Sequence, residues 1–150
     1  MTRTEISRTV DAPVGVVFST VADISNFSKA VPHIEHVEFL SEARTGVGAR
    51  FRETRLMGSR KATTELEVTE YVLNERVRFV SDAGGTIWDT TFTVEPDPDG
   101  RGTRLAMVME AKPHKLLARL VTPLMKSVVA KAIAADLDAV KVYAEAAEPC

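Results

Sequence analysis

KPHKLLARLVTPLMKSVVAKAIAADLDAVKVYAEAAE, residues 112–148, is the stretch that decides the fold. Leu117, Val121, Leu124, Val128, Ala132, Ala135, Ala139 and Val142 follow one another in steps of three and four, the spacing of one helical face. About 30 residues at roughly 1.5 Å each make a helix about 45 Å long, enough to cross a whole sheet in a domain of this size. Leu116, Leu120, Ile133, Leu137 and Val140 widen the stripe, and Lys115, Arg119, Lys126, Lys131, Asp138 and Lys141 take the remainder. One face must therefore be covered by a sheet. Pro123 removes the amide donor that would bond the carbonyl of Arg119, so a bend is expected at Thr122-Pro123. That bend should leave space beneath the first half of the helix, while Ala132, Ala135 and Ala139 let the second half approach the sheet more closely.

Upstream of the helix, strand signals recur between turn residues. They cover Val37 to Leu40, Ala49 to Met57, Ala62 to Leu73, Val77 to Ser81, Ile87 to Glu95 and Thr103 to Glu110. Gly46, Gly58-Ser59, Leu73-Asn74-Glu75, Gly84-Gly85 and Pro96 through Gly102 separate them, the punctuation of an antiparallel meander. Further back, residues 4–10 alternate as a first strand that stops at Asp11-Ala12-Pro13. Pro13 suits a helix start, Val14, Val17, Phe18 and Val21 have helical spacing, and Asp23 or Ser25 caps a second short helix running through Phe27. The outcome is an α+β domain: a curved antiparallel sheet of about seven strands wrapped around one long C-terminal helix, with two short helices after the first strand.

This order of elements resembles the helix-grip fold of the SRPBCC superfamily, which holds the START, Bet v 1 and polyketide cyclase/dehydrase-like proteins. The resemblance is carried by TVDAPVGVVFSTVADISNF, by VPHIEHVEFL followed by GVGARF, by FTVEPDPDGRGTRL and by the closing helix, so it spans nearly the whole chain. The chain departs from a frequent family pattern in having Phe27 and Ala30-Val31 before Pro32, where a tryptophan is common. The resemblance implies a cavity between sheet and helix for a largely apolar small molecule. It supplies no catalytic residue by number.

The strand phases agree with such a cavity. Ala62, Thr64, Leu66 and Val68 share one face; so do Val77, Phe79 and Ser81, then Trp88, Thr90, Phe92 and Val94, then Leu105, Met107 and Met109. The opposite faces carry Lys61, Glu65, Glu67, Arg76, Arg78, Asp89, Glu95, Arg104 and Glu110, the expected division of a meander with one solvated side. The expected walls are Phe51, Leu66, Phe79, Trp88, Thr90, Phe92, Met107 and Met109 on the sheet, with Leu117, Val121, Leu124 and Val128 on the helix. One strand breaks the apolar rule. In FRETRL, residues 51–56, Phe51 shares its face with Glu53 and Arg55, so an acid and a base turn inward with it. These two are the candidates for a charged group beside the cavity, where Arg55 holds a carboxylate, enol or phenolate and Glu53 orients it; the alternative is a structural ion pair, or a strand end twisted toward solvent with both side chains wet.

The remaining composition mostly excludes. The chain has 150 residues, fitting one domain over 1–150, with 19 Lys plus Arg against 21 Asp plus Glu and a formal charge of -2. No basic run forms a phosphate-binding stripe, so nucleic acid is not an expected partner. The N-terminus has no apolar signal region and no segment is long and apolar enough for integral membrane association, which reads as a soluble, cytoplasmic protein. His33 and His36 bracket Ile34-Glu35 without a ligand motif, and no metal site is expected. His114 reads as a helix-start or solvent residue, Met57 as pocket or core, and the lone Cys150 as incidental. Nucleophile-elbow, phosphate-loop and dinucleotide signatures are missing, so no cofactor is called for. Three functions follow: a protein that binds or carries a hydrophobic small molecule of polyketide, lipid or quinone type; a cyclase or aromatase using general acid-base groups in the same cavity; and a protein-interaction module of co-chaperone or ribosome-associated type, which an exposed apolar patch outside the cavity would favour.

Overall fold

The computed structural model describes residues 2–57, 59–100 and 102–147, without the side chain of Met57. The readings of Met57 and Cys150 lie outside what is described. Strand β1 (Thr2–Val10) is followed by helices α1 (Val14–Ala22) and α2 (Ile24–Ala30), then by β2 (Ile34–Phe39), β3 (Arg50–Met57), β4 (Arg60–Val72), β5 (Arg76–Ala83), β6 (Thr86–Pro96) and β7 (Thr103–Pro113). The chain closes with α3 (Leu116–Val121), a 3-10 turn (Thr122–Met125) and α4 (Lys126–Ala146). The seven strands form one antiparallel sheet in the order β1-β7-β6-β5-β4-β3-β2, a six-strand meander with β1 laid beside its last strand. This is the expected α+β helix-grip architecture.

Local chemistry sets the joints. Pro13, at the N-cap of α1, has its φ fixed near the helical value, and its carbonyl accepts from the amides of Val16 and Val17. Asp23 ends α1 and caps α2, its carboxylate accepting from the Ser25 amide at 2.9 Å. Between β5 and β6, Gly84 and Gly85 both have positive φ, as a two-residue hairpin of primed type requires. Gly85 also accepts, through its carbonyl, from the amides of His114 and Lys115, and a Cβ there would lie 2.8 Å from Lys115. The hairpin thereby anchors the chain where it leaves β7 for α3. Register shifts at Ile34/His36 and at Val68/Glu70 bend the β2-β3 and β4-β5 ladders and add to the curvature.

The core lies between the concave face of the sheet and α1, α2 and α4. Its fully enclosed members include Val10, Val17, Val21, Phe51, Val77, Leu105, Leu137 and Val140. Four aromatic rings run across it edge to face: Phe27 to Phe92 at 5.9 Å, Phe92 to Phe79 at 6.1 Å, and Phe79 to Phe51 at 6.0 Å.

The terminal helix departs from expectation in its phase. The break falls where Pro123 puts it, as a 3-10 turn between α3 and α4. The face turned toward the protein, however, is Ala118, Thr122, Val129, Ile133, Leu137, Val140 and Ala144, again in steps of three, four and seven. Leu117, Val121, Leu124, Val128 and Val142, expected on the buried face, are 43 to 81% exposed. The sequence carries two stripes, and the one with larger side chains is the outer one. Small or hydroxylated residues, Ala118 and Thr122, make the inner stripe of the first half.

Candidate functional site

The concave face, α1, α2 and α4 enclose a cavity of about 270 Å³. Its floor is the aromatic row Phe51, Phe79 and Phe92 of the sheet, and Leu66, Trp88, Met107 and Met109 continue the apolar lining. Thr90, Thr64 and Ser81 place hydroxyls among them. All eight residues expected on the sheet therefore line it. None of the four expected on the helix does: Leu117, Val121, Leu124 and Val128 lie outside, and Val129, Ala132, Ile133 and Asp136 of α4 form that wall. The space sits beneath the second part of the terminal segment, not its first, because the stripe of large side chains that would have roofed it faces outward. Val21 and Ile24 join Phe27 to complete the roof from the short helices, whose apolar residues the strand-phase argument did not reach. Ala62 and Ala132 are both cavity-lining and exposed, which puts the mouth between the β3-β4 end of the sheet and the middle of α4.

Glu53 and Arg55 meet at this mouth, and a third residue joins them. Alternation along β3 turns Phe51, Glu53 and Arg55 inward, and the register sets Glu53 opposite Thr64 and Arg55 opposite Ala62. Arg55 donates through Nε to Glu53 Oε1, and its two Nη groups clamp Asp136 of α4, at 3.1 Å to Oδ1 and 3.0 Å to Oδ2. The side chains of Glu53 and Asp136 are only 9% and 8% exposed, against 25% for Arg55. Burial by itself would make Arg55 easier to deprotonate; the attraction of Glu53 and Asp136, with the hydrogen bonds to both, outweighs it and raises the guanidinium well above its ordinary value. Arg55 is therefore a fixed cation. Buried charges of this kind persist only when paired, and this one ties the sheet to a helix 81 residues away in sequence.

The group still has unused hydrogen-bonding capacity. A guanidinium has five N–H donors; among the described residues Nε and Nη1 donate one hydrogen bond each and Nη2 stands 3.0 Å from Asp136 Oδ2 as an ion pair, so at least two N–H groups are left over. Among the described residues nothing donates to the second oxygen of Glu53. The site thus presents donors and an acceptor side by side at the rim of an apolar chamber. Asp136 escaped sequence reading, although its signal is simple: it is an acid inside the inner stripe, three residues after Ile133 and four before Val140.

The other candidates fall elsewhere. His33 and His36 are exposed, and the described residues contain no cluster of His, Cys, Asp and Glu able to hold a metal. His114 pairs with Asp82 at 2.9 Å on the surface. On the convex face, Asp89 accepts from Arg78 at 2.8 and 2.5 Å and from Lys112 at 3.4 Å. The hydrogen bonds from Arg78 hold its carboxyl below the usual carboxylate range against a burial cost. That cluster is on the far side of the sheet from the cavity.

The family model described as polyketide cyclase / dehydrase and lipid transport matches residues 1–145. The chain belongs to this family. Membership fits the SRPBCC resemblance and the helix-grip architecture. A protein from Thermus thermophilus is similar in structure, with a TM-score of 0.79, 20% identity and coverage of 99% of this chain and all of that one. The Zhui aromatase/cyclase from Streptomyces sp. R1128 gives 0.78 at 18% identity, covering 96% of this chain and 93% of that one. Ara h 8.0201, a Bet v 1-like protein, gives 0.72 at 15% identity, covering 95% and 97%. At these identities the likeness is one of fold. No curated protein matches the sequence. Family and cavity together support a role in binding or cyclising a hydrophobic molecule, without choosing between them.

Proposed function

We propose that the protein binds one small apolar molecule, built on a few fused rings or a short acyl chain, with an oxygen-bearing end against Glu53, Arg55 and Asp136. The observation that carries this reading is the composition of the chamber: aromatic and aliphatic walls with a single charged group at the rim. Its volume of about 270 Å³ is near the lower edge of the roughly 300–1,000 Å³ range of small-molecule sites, which favours a compact ligand over a two-chain lipid. Arg55 already faces two carboxyl groups, Glu53 and Asp136, and so has no partner to find in an anionic ligand. It suits a neutral hydroxyl or keto group better than a carboxylate.

Cyclisation is the second reading, and the spare capacity of the group favours it. The free Arg55 N–H groups can donate to a ketone oxygen while Glu53 takes a proton from the adjacent carbon. The resulting enolate carbon attacks a second carbonyl of the same chain, closing a carbon–carbon bond, and Glu53 returns the proton to the new alkoxide. The balance needs no other reactant.

Native mass spectrometry of the purified protein, with extraction of what accompanies it, tests the first reading: a single apolar compound at one per chain is expected. Glu53→Gln separates the two readings once that compound is known. A carrier retains most of its affinity for a neutral ligand, whereas an enzyme using Glu53 as base still binds and loses roughly a hundredfold or more in turnover. If Glu53→Gln and Arg55→Met both bind and turn over like wild type, the group is a structural brace only.

A further inference from the structure

The segment between β7 and the middle of α4 is apolar on the wrong side. Leu116, Leu117, Leu120, Val121, Leu124 and Val128 are 78, 72, 67, 43, 81 and 59% exposed. Ala118 and Thr122 face the protein, and Leu116, Leu120 and Leu124, each displaced by two residues from that pair, stand on the opposite side of the helix. A helix stabilised by its own core places its leucines inward; this one places them in water.

The charge of the same segment is equally one-sided. Residues 111–135 contain five cations, Lys112, Lys115, Arg119, Lys126 and Lys131, and no acid, in a chain whose formal charge is -2. Lys112 pairs with Asp89; Lys115, Arg119, Lys126 and Lys131 are exposed and form no ion pair among the described residues. Outward leucines flanked by unpaired cations are the composition of a helix that lies in a lipid interface, with leucines among the acyl chains and cations at the headgroups. No described helix is long and apolar enough to cross a membrane, so the contact would be peripheral.

We propose that Lys115–Lys131 docks the protein on an anionic lipid surface. A two-fold contact between copies through the same ridge would set Arg119 and Lys131 of one copy near the same cations of the other, with no acid in residues 111–135 to offset them, which disfavours it. An acidic protein would satisfy the cations, but the leucines project as a ridge instead of lining a groove, and a fluid interface accommodates such a ridge without a complementary shape. Val128, at the end of the ridge, is one helical turn before Ala132 at the cavity mouth. Docking therefore sets the mouth close to the lipid. The docking itself does not depend on what the cavity holds.

The test is sedimentation of the full chain with vesicles of phosphatidylcholine alone or with one-third phosphatidylglycerol, at low and at physiological salt. Binding to the anionic vesicles roughly tenfold or more above the neutral ones is expected, weakening with salt. Leu120→Ser with Leu124→Ser should lower it roughly tenfold or more, and Arg119→Glu with Lys126→Glu should remove the anionic preference, both pairs keeping the wild-type circular dichroism because all four residues are exposed. Three results overturn the proposal. One is no binding to anionic vesicles at low salt. Another is binding indifferent to the leucine pair, since charge alone would serve an acidic protein equally well. The third is self-association abolished by the leucine pair in a protein that ignores vesicles, which would make the ridge an interface between copies.

Discussion

Among the described residues Arg55 is the one cation that the two buried carboxylates share, and its removal leaves both of them unbalanced. Arg55→Met should accordingly destabilise the fold by about 3–5 kcal/mol, the range for breaking one partner out of a buried ion pair. Urea denaturation at neutral pH measures it; a loss under about 1 kcal/mol would place the group in water with the weak surface pairs. The sign of the Arg55 shift bears on pH. A raised folded-state value means that its contribution is complete below the ordinary arginine value and is lost only above it, so the guanidinium stays charged wherever the protein is folded. The two β3 members of the group were legible because period-two alternation ties Glu53 and Arg55 to the phase of Phe51. Asp136 was not, because a helical stripe tolerates one polar residue and only the identity of the buried stripe makes that residue conspicuous.

At the level of elements, the sheet was readable and the helix face was not. Strand alternation has two phases, and the charged set Arg78, Asp89, Arg104 and Glu110 marked the outer one, so eight sheet residues were placed on the cavity side from sequence alone. A helix offers more phases. Here the richest apolar stripe, Leu117-Val121-Leu124-Val128, competed with a stripe headed by Ala118 and Thr122, and hydrophobicity alone chose the outer one. Thr122 is what holds the inner stripe down. Its hydroxyl pairs with that of Thr86 at 2.9 Å in a buried site, pinning the 3-10 turn to the start of β6. Thr122→Val keeps the shape and strands the Thr86 hydroxyl, which should cost about 1–3 kcal/mol. Hydrogen exchange should then quicken through residues 116–125 while the amides of α4 beyond Ile133 keep their protection. Uniform protection throughout would show that the turn is held by something else.

The whole molecule combines a curved sheet, a roof of three helices and a charged rim, and its central claim is that the enclosed space is a binding site for a compact apolar molecule. Retention of about 270 Å³ in an otherwise close-packed interior is what separates this domain from an ordinary α+β core. Ala132 controls the claim, being exposed at the mouth, so a large side chain there closes the entrance without disturbing the buried stripe. The most direct measurement is a fluorescence titration with N-phenylnaphthylamine, an uncharged aromatic probe, on wild type and on Ala132→Trp. The wild type should saturate at one probe per chain, and Ala132→Trp should bind roughly tenfold or more weakly with an unchanged denaturation midpoint. Absence of saturable binding to the wild type, or equal binding by the two proteins, would contradict the claim that this cavity is the site.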